Sequence, residues 1–392
     1  MDETQSDHLK SYGLAYFALE RGERVEWLLN YRDGSFMLED SPETRNEAGI
    51  RGVTLESVDA ASYASIAHEI DENNMEKILL EKAPRIAVYV APSEEPWDDA
   101  VILALDYAEI PYVTLWDGDV LDGKLEEFDW LHLHHEDFTG QYGKFLGSYG
   151  TAPWYIKQKA VYEELARKAG FAKVSEHKKA VVREIKQFIA KGGFVFGMCS
   201  GTDSFDIALA AEGVDIVPTE YDRDPPDPKC QSKLDFKKCL AFENFKLVLE
   251  PYVYEFSNID TSNLPIPRGV GIDVFTLFEF SAKEDPVPTM LTQCHASRIQ
   301  NLMGQTTGFS KSCIKKGITI MAEVEGTEEV KYIHGSFGRG TFTFYGGHDP
   351  EDYQHLIGDP PSNLSLHKHS PGYRLILNNI LFPAAEKKER KT

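Results

Sequence analysis

Four short runs in the first half of the chain consist mostly of apolar residues. They are 86–90, 112–115, 130–133 and 194–197. Segments with apolar residues at helical spacing lie between these runs. They are 97–108, 155–169 and 175–190. Short apolar strands separated by helices are typical of a parallel sheet that is covered on both faces. The pattern therefore predicts an α/β domain whose first part spans 85–217.

Residues 1–84 show a different pattern. Aromatic-rich apolar runs within 1–60 are interrupted by glycine-containing turn signals at 21–22 and 33–34, which predicts a small antiparallel meander. Apolar positions at helical spacing then predict one helix over 61–83, which Pro84 ends. We therefore expect an N-terminal β-rich extension with a helix.

The second half of the chain is less regular. Residues 218–314 are rich in proline and contain isolated strand-like runs, which predicts an insertion or an elaborated edge of the sheet. Three β-like runs return between 315 and 346, and a helix is predicted at 373–381. We assign 315–385 to the remainder of the α/β domain. The charged tail at 386–392 is predicted to be disordered.

Charge limits the partners of the chain. Its 392 residues include 41 Lys and Arg against 63 Asp and Glu, which gives a formal net charge of −22 at pH 7. Such a charge repels phosphate backbones and anionic lipids, so we expect no nucleic-acid partner and no anionic membrane surface. No apolar run is long enough to span a bilayer. The expected partner is a small-molecule substrate.

Cysteine usage and the first residues bear on the compartment. The five cysteines form no CxxC pair, so neither a disulfide framework nor a zinc ribbon is predicted. The start of the chain, 1–10, is polar and acidic and shows no signal peptide. As written, the chain is predicted to be cytoplasmic.

One predicted strand ends in a glycine–cysteine motif. It leads into Gly197, Met198, Cys199, Ser200 and Gly201, and a helical pattern begins at once. Glycines on both sides of the cysteine allow the sharp strand-to-helix turn of a nucleophile elbow. Such a turn places the sulfur at a helix N-terminus, where the helix dipole favours thiolate over thiol. Cys199 is therefore a candidate nucleophile, and a buried structural cysteine is the alternative.

A second predicted strand ends in a histidine. The run 340–345 leads into two glycines and then His348. In open α/β sheets, sites form outside the carboxyl ends of the strands, so Cys199 and His348 are expected at the same edge. His348 would serve as the base for the thiol, and Asp349 or Glu351 would orient its ring.

These two motifs together resemble the class I glutamine amidotransferase-like superfamily. The elbow at Cys199, followed far downstream by a strand that ends in His348, Asp349 and Glu351, carries the resemblance. It implies a flavodoxin-like, mostly parallel sheet with helices on both faces. It also implies that Cys199 attacks a glutamine side-chain amide, that His348 transfers the proton, and that Glu351 orients His348, with Asp349 competing for that role. Ammonia would be released and passed to an acceptor partner of unknown identity.

This resemblance covers roughly 85–217 and 315–385. A closer one is to a family of Bacteroidetes proteins often labelled asparagine synthetase B, carried by segments such as Asp2–Tyr12, Trp27–Phe36 and Phe344–His355. Many of these relatives begin with a secretory leader. The resemblance therefore implies a periplasmic or secreted protein if the natural start lies upstream of residue 1.

ATP-dependent asparagine synthesis is disfavoured by the residues themselves. The run Ser200–Ser204 is similar to the pyrophosphate loop of such synthetases, but it is one residue short and lacks the second glycine. Backbone N–H groups cradle pyrophosphate in these loops, so both changes matter. A synthetase of this kind also needs an N-terminal cysteine nucleophile, whereas the chain begins Met1-Asp2.

Histidines and acids follow the third predicted strand, where the superfamily usually has a glycine turn that supplies oxyanion donors. Alternation along a strand would put His132 and His134 on one face and His135 on the other, so a turn is needed before they can converge. Polar residues lining a pocket are favoured here, and no bound metal or other cofactor is predicted. The pocket candidates are His134, His135, Glu136, Asp137 and, from the second half of the chain, His295.

Three functions remain open. The leading hypothesis is a Cys–His hydrolase or amidotransferase that acts on a small amide such as glutamine through a thioester. The second is a non-catalytic protein that binds a carbohydrate or peptide in the same cleft. The third is a metal-assisted hydrolase that uses the histidines and acids of 132–137.

Overall fold

In the described part of the chain, the strands and helices form one large sheet, two small sheets and flanking helices. A computed structural model describes residues 1–93, 97–261, 274–300, 302–303, 306–352 and 357–386. The strands are β1 (Val25–Leu29), β2 (Ser35–Leu38), β3 (Glu76–Leu80), β4 (Ile86–Tyr89), β5 (Val113–Leu115), β6 (Trp130–Leu133), β7 (Phe194–Met198), β8 (Val274–Leu277), β9 (Arg298–Gln300), β10 (Leu302–Met303), β11 (Phe309–Ser310), β12 (Thr319–Glu323), β13 (Glu329–Phe337), β14 (Gly340–Tyr345) and β15 (Asp349–Pro350). The helices are α1 (His8–Glu20), α2 (Pro42–Arg51), α3 (Ala60–Glu72), α4 (Ala100–Ala108), α5 (Asp117–Leu121), α6 (Leu146–Tyr149), α7 (Pro153–Lys168), α8 (Val174–Lys191), α9 (Ser200–Ala210), α10 (Thr219–Asp222), α11 (Cys230–Lys233), α12 (Pro286–Leu291) and α13 (Pro371–Leu381).

The large sheet is mixed. Among the described residues it has ten strands, in the order β5-β4-β6-β7-β14-β13-β12-β8-β9, with β11 also pairing with β13. Neighbours are parallel from β5 to β14 and antiparallel from β14 to β9. The prediction of a flavodoxin-like, mostly parallel sheet is therefore wrong, because half of the sheet is antiparallel.

Short connections explain the antiparallel half. Only two residues separate β13 from β14, and the first of them, Gly338, has a φ of 63°. A parallel pair needs a crossover of a dozen or more residues, so strands this close in sequence must pair as a hairpin. The loop from β12 to β13 is similarly short and turns at Gly326, whose φ is 75°.

The N-terminal extension also departs from the prediction, because its first element is a helix rather than a strand. Asp7 caps α1 by accepting a hydrogen bond from the backbone N–H of Lys10 at 2.9 Å. The predicted helix over 61–83 ends at residue 72, and β3 follows it. This strand pairs with β1, and β1 pairs with β2, which gives a three-stranded antiparallel sheet.

Two apolar cores lie on the two faces of the large sheet. Side chains of β7 alternate between them: Val195 belongs to one core, and Phe194 and Phe196 belong to the other. The N-terminal helix α1 joins the second core through residues such as Tyr12, which is fully buried. With both faces covered, the carboxyl ends of the parallel strands are left as the place for chemistry.

The described part of the chain contains no helix that is long and apolar enough to cross a membrane. Tail residues 387–392 lie outside the described part. Glu386, the first residue of the predicted tail, is held by a hydrogen bond from its backbone N–H to the carbonyl of Leu79 at 2.8 Å.

Candidate functional site

Three neighbouring parallel strands, β6, β7 and β14, end at the candidate site. Leu133 on β6 and Gly197 on β7 are in register, as are Met198 on β7 and Tyr345 on β14. The residues that follow these strands are therefore brought together. As predicted from the sequence pattern, Cys199 and His348 both lie at this edge of the sheet.

Cys199 has an unusual backbone conformation between β7 and α9. Its φ is 48° and its ψ is −141°, a region that residues with a Cβ atom rarely adopt. Such strain costs about 1–3 kcal/mol and persists only where the surroundings impose it. Here the Cys199 N–H donates to the carbonyl of Gly347 at 3.0 Å, and the Gly201 N–H donates to the carbonyl of His134 at 2.7 Å. The turn is thus tied to the segments that follow both neighbouring strands.

The flanking glycines allow a close approach of chain segments. A Cβ atom on Gly201 would lie 2.8 Å from the carbonyl oxygen of His134, and one on Gly197 would lie 2.9 Å from the ring of Phe344. Neither contact is tolerable without movement of the neighbours. Met198 between them is buried in β7. The elbow is therefore built as its glycine spacing predicts.

The environment of the Cys199 sulfur favours the neutral thiol. Burial raises the pKa of Cys199 strongly, and the nearby carboxyl groups of Asp203 and Asp260 raise it further. The backbone N–H and the hydroxyl of Ser200 lower the pKa of Cys199, but by less. The expectation that the helix N-terminus leaves a thiolate is therefore wrong for this conformation, because desolvation outweighs the helix contribution.

Asp203 and Asp260 form a carboxyl pair that sequence reasoning missed. Thr306 links them: its hydroxyl donates to Asp203 at 3.2 Å, and its backbone N–H donates to Asp260 at 3.1 Å. Burial, and then the charge of Asp260, raise the pKa of Asp203 well above its usual range. The only sequence signal was its place in the run Ser200–Ser204.

That run is helical rather than a phosphate loop. Ser200–Ser204 forms the start of α9 and is buried throughout. The Ser204 N–H is used within the protein, where it donates to the Asp203 side chain at 2.9 Å. The Ser204 hydroxyl donates to the carbonyl of Glu136 at the same distance.

His348 is oriented by Asp349. The two are joined by a hydrogen bond of 2.7 Å between Nδ1 of His348 and the carboxylate of Asp349. The other candidate acid, Glu351, instead lies 3.4 Å from Nδ1 of His367. In this arrangement Asp349, rather than Glu351, is the residue placed to hold the ring.

His348 also contacts the histidines that follow β6. The strand ends at Leu133, and the chain then turns, so that the rings of His134 and His135 stack with centroids 3.9 Å apart. The ring of His348 lies 4.4 Å from that of His134 and 4.2 Å from that of His135. Because the chain turns after Leu133, His134 and His135 lie side by side, whereas in a continued strand they would point to opposite faces.

Asp99 supports this histidine cluster, and sequence reasoning did not single it out. It caps α4 by accepting hydrogen bonds from the backbone N–H groups of Val101 and Ile102. Its carboxylate lies 3.3 Å from Nε2 of His132 and 3.3 Å from Nδ1 of His134. Two triads within the described residues therefore offer nitrogen and oxygen atoms close enough to hold a metal ion. They are His134, His135 and His348, and Asp99, His132 and His134.

The remaining pocket candidates have other contacts. Glu136 is buried and lies 3.7 Å from the ammonium group of Lys178. Asp137 organises its own loop by accepting hydrogen bonds from the backbone N–H groups of Thr139, Gln141 and Gly143.

His295 lies in a separate cluster near α13. Its Nδ1 accepts a hydrogen bond from Arg374 at 3.2 Å, and its ring contacts that of His8. Burial, and then the charge of Arg374, lower the pKa of His295 to about 4. The structure therefore does not bring His295 to Cys199.

Comparisons with known proteins do not assign the chain to a family. No protein-family model matches it, and no curated protein matches it. Among solved structures it is similar to the cytoplasmic protein STM3548 from Salmonella typhimurium, with 8% identity and a TM-score of 0.38 over 77% of this chain and 100% of that one. It is similar to the cytoplasmic protein STM1381 from Salmonella typhimurium LT2, with 12% identity and a TM-score of 0.37 over the same shares. It also matches Gan42B, a GH42 beta-galactosidase, with 9% identity and a TM-score of 0.30 over 68% of this chain and 28% of that one.

Proposed function

We propose that the chain is a hydrolase that cleaves a small carboxamide through a thioester on Cys199. The observation that carries this proposal is the backbone conformation of Cys199, with a φ of 48° at the junction of β7 and α9. Strained residues of this kind cluster at active sites, and a sharp strand-to-helix turn is the usual support of a nucleophile. An inert structural cysteine needs neither the strain nor the two hydrogen bonds that hold it.

The proposed reaction begins when the Cys199 sulfur attacks the carbonyl carbon of the amide. The thiol proton passes to Nε2 of His348 and from there to the amide nitrogen as the carbon–nitrogen bond breaks. Ammonia leaves, and a thioester remains on Cys199. Water then cleaves the thioester, which gives a carboxylic acid and restores the thiol.

Two neighbours of Cys199 have defined roles in this scheme. Asp349 accepts the Nδ1–H of His348, so the Nε2 lone pair of the neutral ring is the one that takes the proton. The backbone N–H of Ser200, the residue after the nucleophile, is the expected oxyanion donor. The Gly201 N–H is not available for this role, because it donates to His134.

The neutral thiol is compatible with this chemistry when the base acts in concert with substrate. Burial keeps the proton on Cys199 in the free protein. Nε2 of His348 is meanwhile in contact with Nδ1 of His135 at 2.8 Å. Catalytic hydrogen bonds often form only once substrate is bound. The free protein is in this proposal a resting state, in which Cys199 keeps its proton and Nε2 of His348 contacts His135.

Cysteine chemistry also suggests the compartment. The five cysteines are all unpaired, including Cys230 and Cys239, which are close in sequence. A thiol nucleophile with four unpaired companions suits a reducing environment such as the cytoplasm. The proposed partner is a small-molecule substrate such as glutamine, with the acceptor of ammonia left open.

The test is release of ammonia from carboxamides. Purified chain is incubated with L-glutamine, L-asparagine and simple aliphatic amides, and ammonia is measured over time. We expect turnover of at least one amide, and a loss of kcat/KM of roughly 10³-fold or more in Cys199→Ala. Cys230→Ala is the matched control, because Cys230 and Cys199 are both 3% exposed.

Two results would overturn the proposal. One is ammonia release by Cys199→Ala at the wild-type rate. The other is tight binding of a ligand, measured by calorimetry, with no turnover of any amide, which would support the non-catalytic binding protein.

A further inference from the structure

We infer that His134, His135 and His348 bind one divalent transition-metal ion, with Zn²⁺ as the preferred ion. The three ligand atoms lie within 4.8 Å of one another. Binding itself is independent of the proposed function, because it uses neither the sulfur of Cys199 nor a substrate.

The strongest reason is a contact between two acceptor nitrogens. Nε2 of His135 lies 2.8 Å from the backbone carbonyl of Asp98, which can only accept, so Nε2 of His135 carries the hydrogen. Nδ1 of His348 likewise donates to the carboxylate of Asp349. In two neutral rings the lone pairs therefore belong to Nδ1 of His135 and Nε2 of His348, and these atoms face each other at 2.8 Å.

Two lone pairs at this distance repel each other unless a cation, either a shared proton or a metal ion, lies between them. A metal ion meets this need in a way that fits the surroundings of both rings. Metal-bound histidines almost always donate their other N–H to a carboxylate or a backbone carbonyl, which fixes the ring and the tautomer. The carboxylate of Asp349 and the carbonyl of Asp98 already occupy those positions.

His134 supplies the third nitrogen. Its side chain is 1% exposed, and its Nε2 has no hydrogen-bond partner within the described residues. Its other nitrogen, Nδ1, lies 3.3 Å from the carboxylate of Asp99. A buried ring nitrogen without a partner is a cost that metal coordination would remove. In His135 and His348 one ring nitrogen is thus held by an oxygen, and Nδ1 of His134 lies beside the Asp99 carboxylate. One nitrogen from each of the three rings lies within 4.8 Å of the other two.

The geometry suits a small tetrahedral ion. Zinc binds histidine nitrogen at about 2.0–2.1 Å, so two nitrogens in a tetrahedral site lie roughly 3.3 Å apart. This value falls between the 2.8 Å contact and the 4.8 Å limit of the triad. A site with three histidine nitrogens and one open position also favours zinc over harder ions such as Mg²⁺, which prefer oxygen ligands. His135 is only half-buried, which gives the ion an entry path.

The second triad, Asp99, His132 and His134, is the weaker site. Nδ1 of His132 already contacts the carbonyl of Phe196 at 3.1 Å, and the fully buried His132 ring packs against Trp130 and Phe196. Its ring therefore has no open side toward solvent. In our assignment Asp99 orients His134 and is not a ligand.

One consequence rests on the proposed function. Metal at Nε2 of His348 would occupy the lone pair that takes the proton from Cys199, so the ion would inhibit amide cleavage. The three-histidine site would then be an inhibitory metal site of the thiol hydrolase.

The binding test uses the full chain, stripped of metal by a chelator and then dialysed against Zn²⁺. Bound zinc is counted by mass spectrometry of the metal, and affinity is measured by competition with a chromogenic chelator. We expect one zinc per chain and a loss of affinity of about 100-fold or more in His135→Gln. His68→Gln is the matched control, because His68 is exposed and lies on α3. Unfolding in urea checks that each variant is folded.

Co²⁺ gives a second readout on the wild-type chain, since a four-coordinate site with histidine ligands produces visible absorption bands. No stoichiometric zinc in the wild-type chain, or equal affinity in His135→Gln and His68→Gln, would overturn the assignment. Loss of zinc in His132→Gln but not in His135→Gln would overturn it in favour of the second triad. Zinc binding by Cys199→Ala separates the two proposals, because it stays intact if only the proposed hydrolase is wrong.

Discussion

The strain at Cys199 can be measured by comparing glycine with alanine at that position. Both substitutions remove the thiol, but only glycine also removes the Cβ atom that makes a φ of 48° and a ψ of −141° unfavourable. Relief of this strain is worth about 1–3 kcal/mol. Glycine loses about 0.5–1 kcal/mol relative to alanine through the greater freedom of its unfolded chain. We therefore expect Cys199→Gly to be more stable than Cys199→Ala by about 0.5–2 kcal/mol.

Cys230 provides the matched pair. It is as buried as Cys199, but it begins helix α11 and does not have a positive φ. There we expect the ordinary order, with Cys230→Gly less stable than Cys230→Ala by about 0.5–1 kcal/mol. The assay is equilibrium unfolding in urea, with all four variants compared by their midpoints at equal slope. The same order at both positions would refute the claim that the elbow stores strain.

Three further predictions concern other parts of the account. Gly201→Ala should destabilise the chain by about 1–3 kcal/mol, because the added Cβ would lie 2.8 Å from the carbonyl of His134. Gly49→Ala is the control and should be neutral or stabilising, because a Cβ there meets no atom within 4 Å. A similar change in stability for both variants would contradict the packing argument. Burial lowers the pKa of His334 to about 4, so below pH 6.5 the unfolded chain takes up a proton that the folded chain refuses. When the pH falls from 7 to 5, the free energy of unfolding of the wild type should therefore drop by roughly 2 kcal/mol more than that of His334→Gln, as measured by urea titration. An equal drop in both proteins would count against this prediction. Because burial raises the pKa of Cys199, iodoacetamide at pH 7 should label it at least ~10-fold more slowly than an unfolded peptide of the same sequence, and equal rates would show an exposed or ionised thiol.

The parallel half of the fold follows from the sequence because its strands are buried on both faces. Apolar runs at 86–90 and 194–197 match β4 and β7 closely, and the helical spacing at 175–190 matches α8. The antiparallel half was not predicted, since a β-like run does not reveal the direction of its neighbour. Short loops such as the one at Gly338 decide that direction.

The N-terminal segment shows a limit of a different kind. The stretch 14–19 is apolar throughout, and both Leu14 and Ala15 are buried in the structure. A helix buried on most sides has no clear period of apolar and polar residues, so the pattern does not distinguish it from strands. The turn signals at 21–22 and 33–34 then favoured a strand at 8–20, where the structure has helix α1.

The site was predicted in part. Parallel strands bring their carboxyl ends together, which is why Cys199 and His348 could be placed at one edge. The stacking of His134 on His135 depends on where β6 ends, and the support from Asp99 depends on tertiary contacts. The raised pKa of Cys199 likewise depends on burial and on Asp260, which lies 61 positions away in the chain.

The central claim is that Cys199 carries the acyl group during amide cleavage. The most direct measurement is acid quenching of the chain during turnover of glutamine, followed by mass spectrometry of the peptide that contains Cys199. We predict a mass increase equal to glutamine minus ammonia on Cys199, absent in Cys199→Ala and lost on treatment with hydroxylamine. Ammonia release with no acyl group on Cys199, at equal rates in the wild type and in Cys199→Ala, would contradict the account.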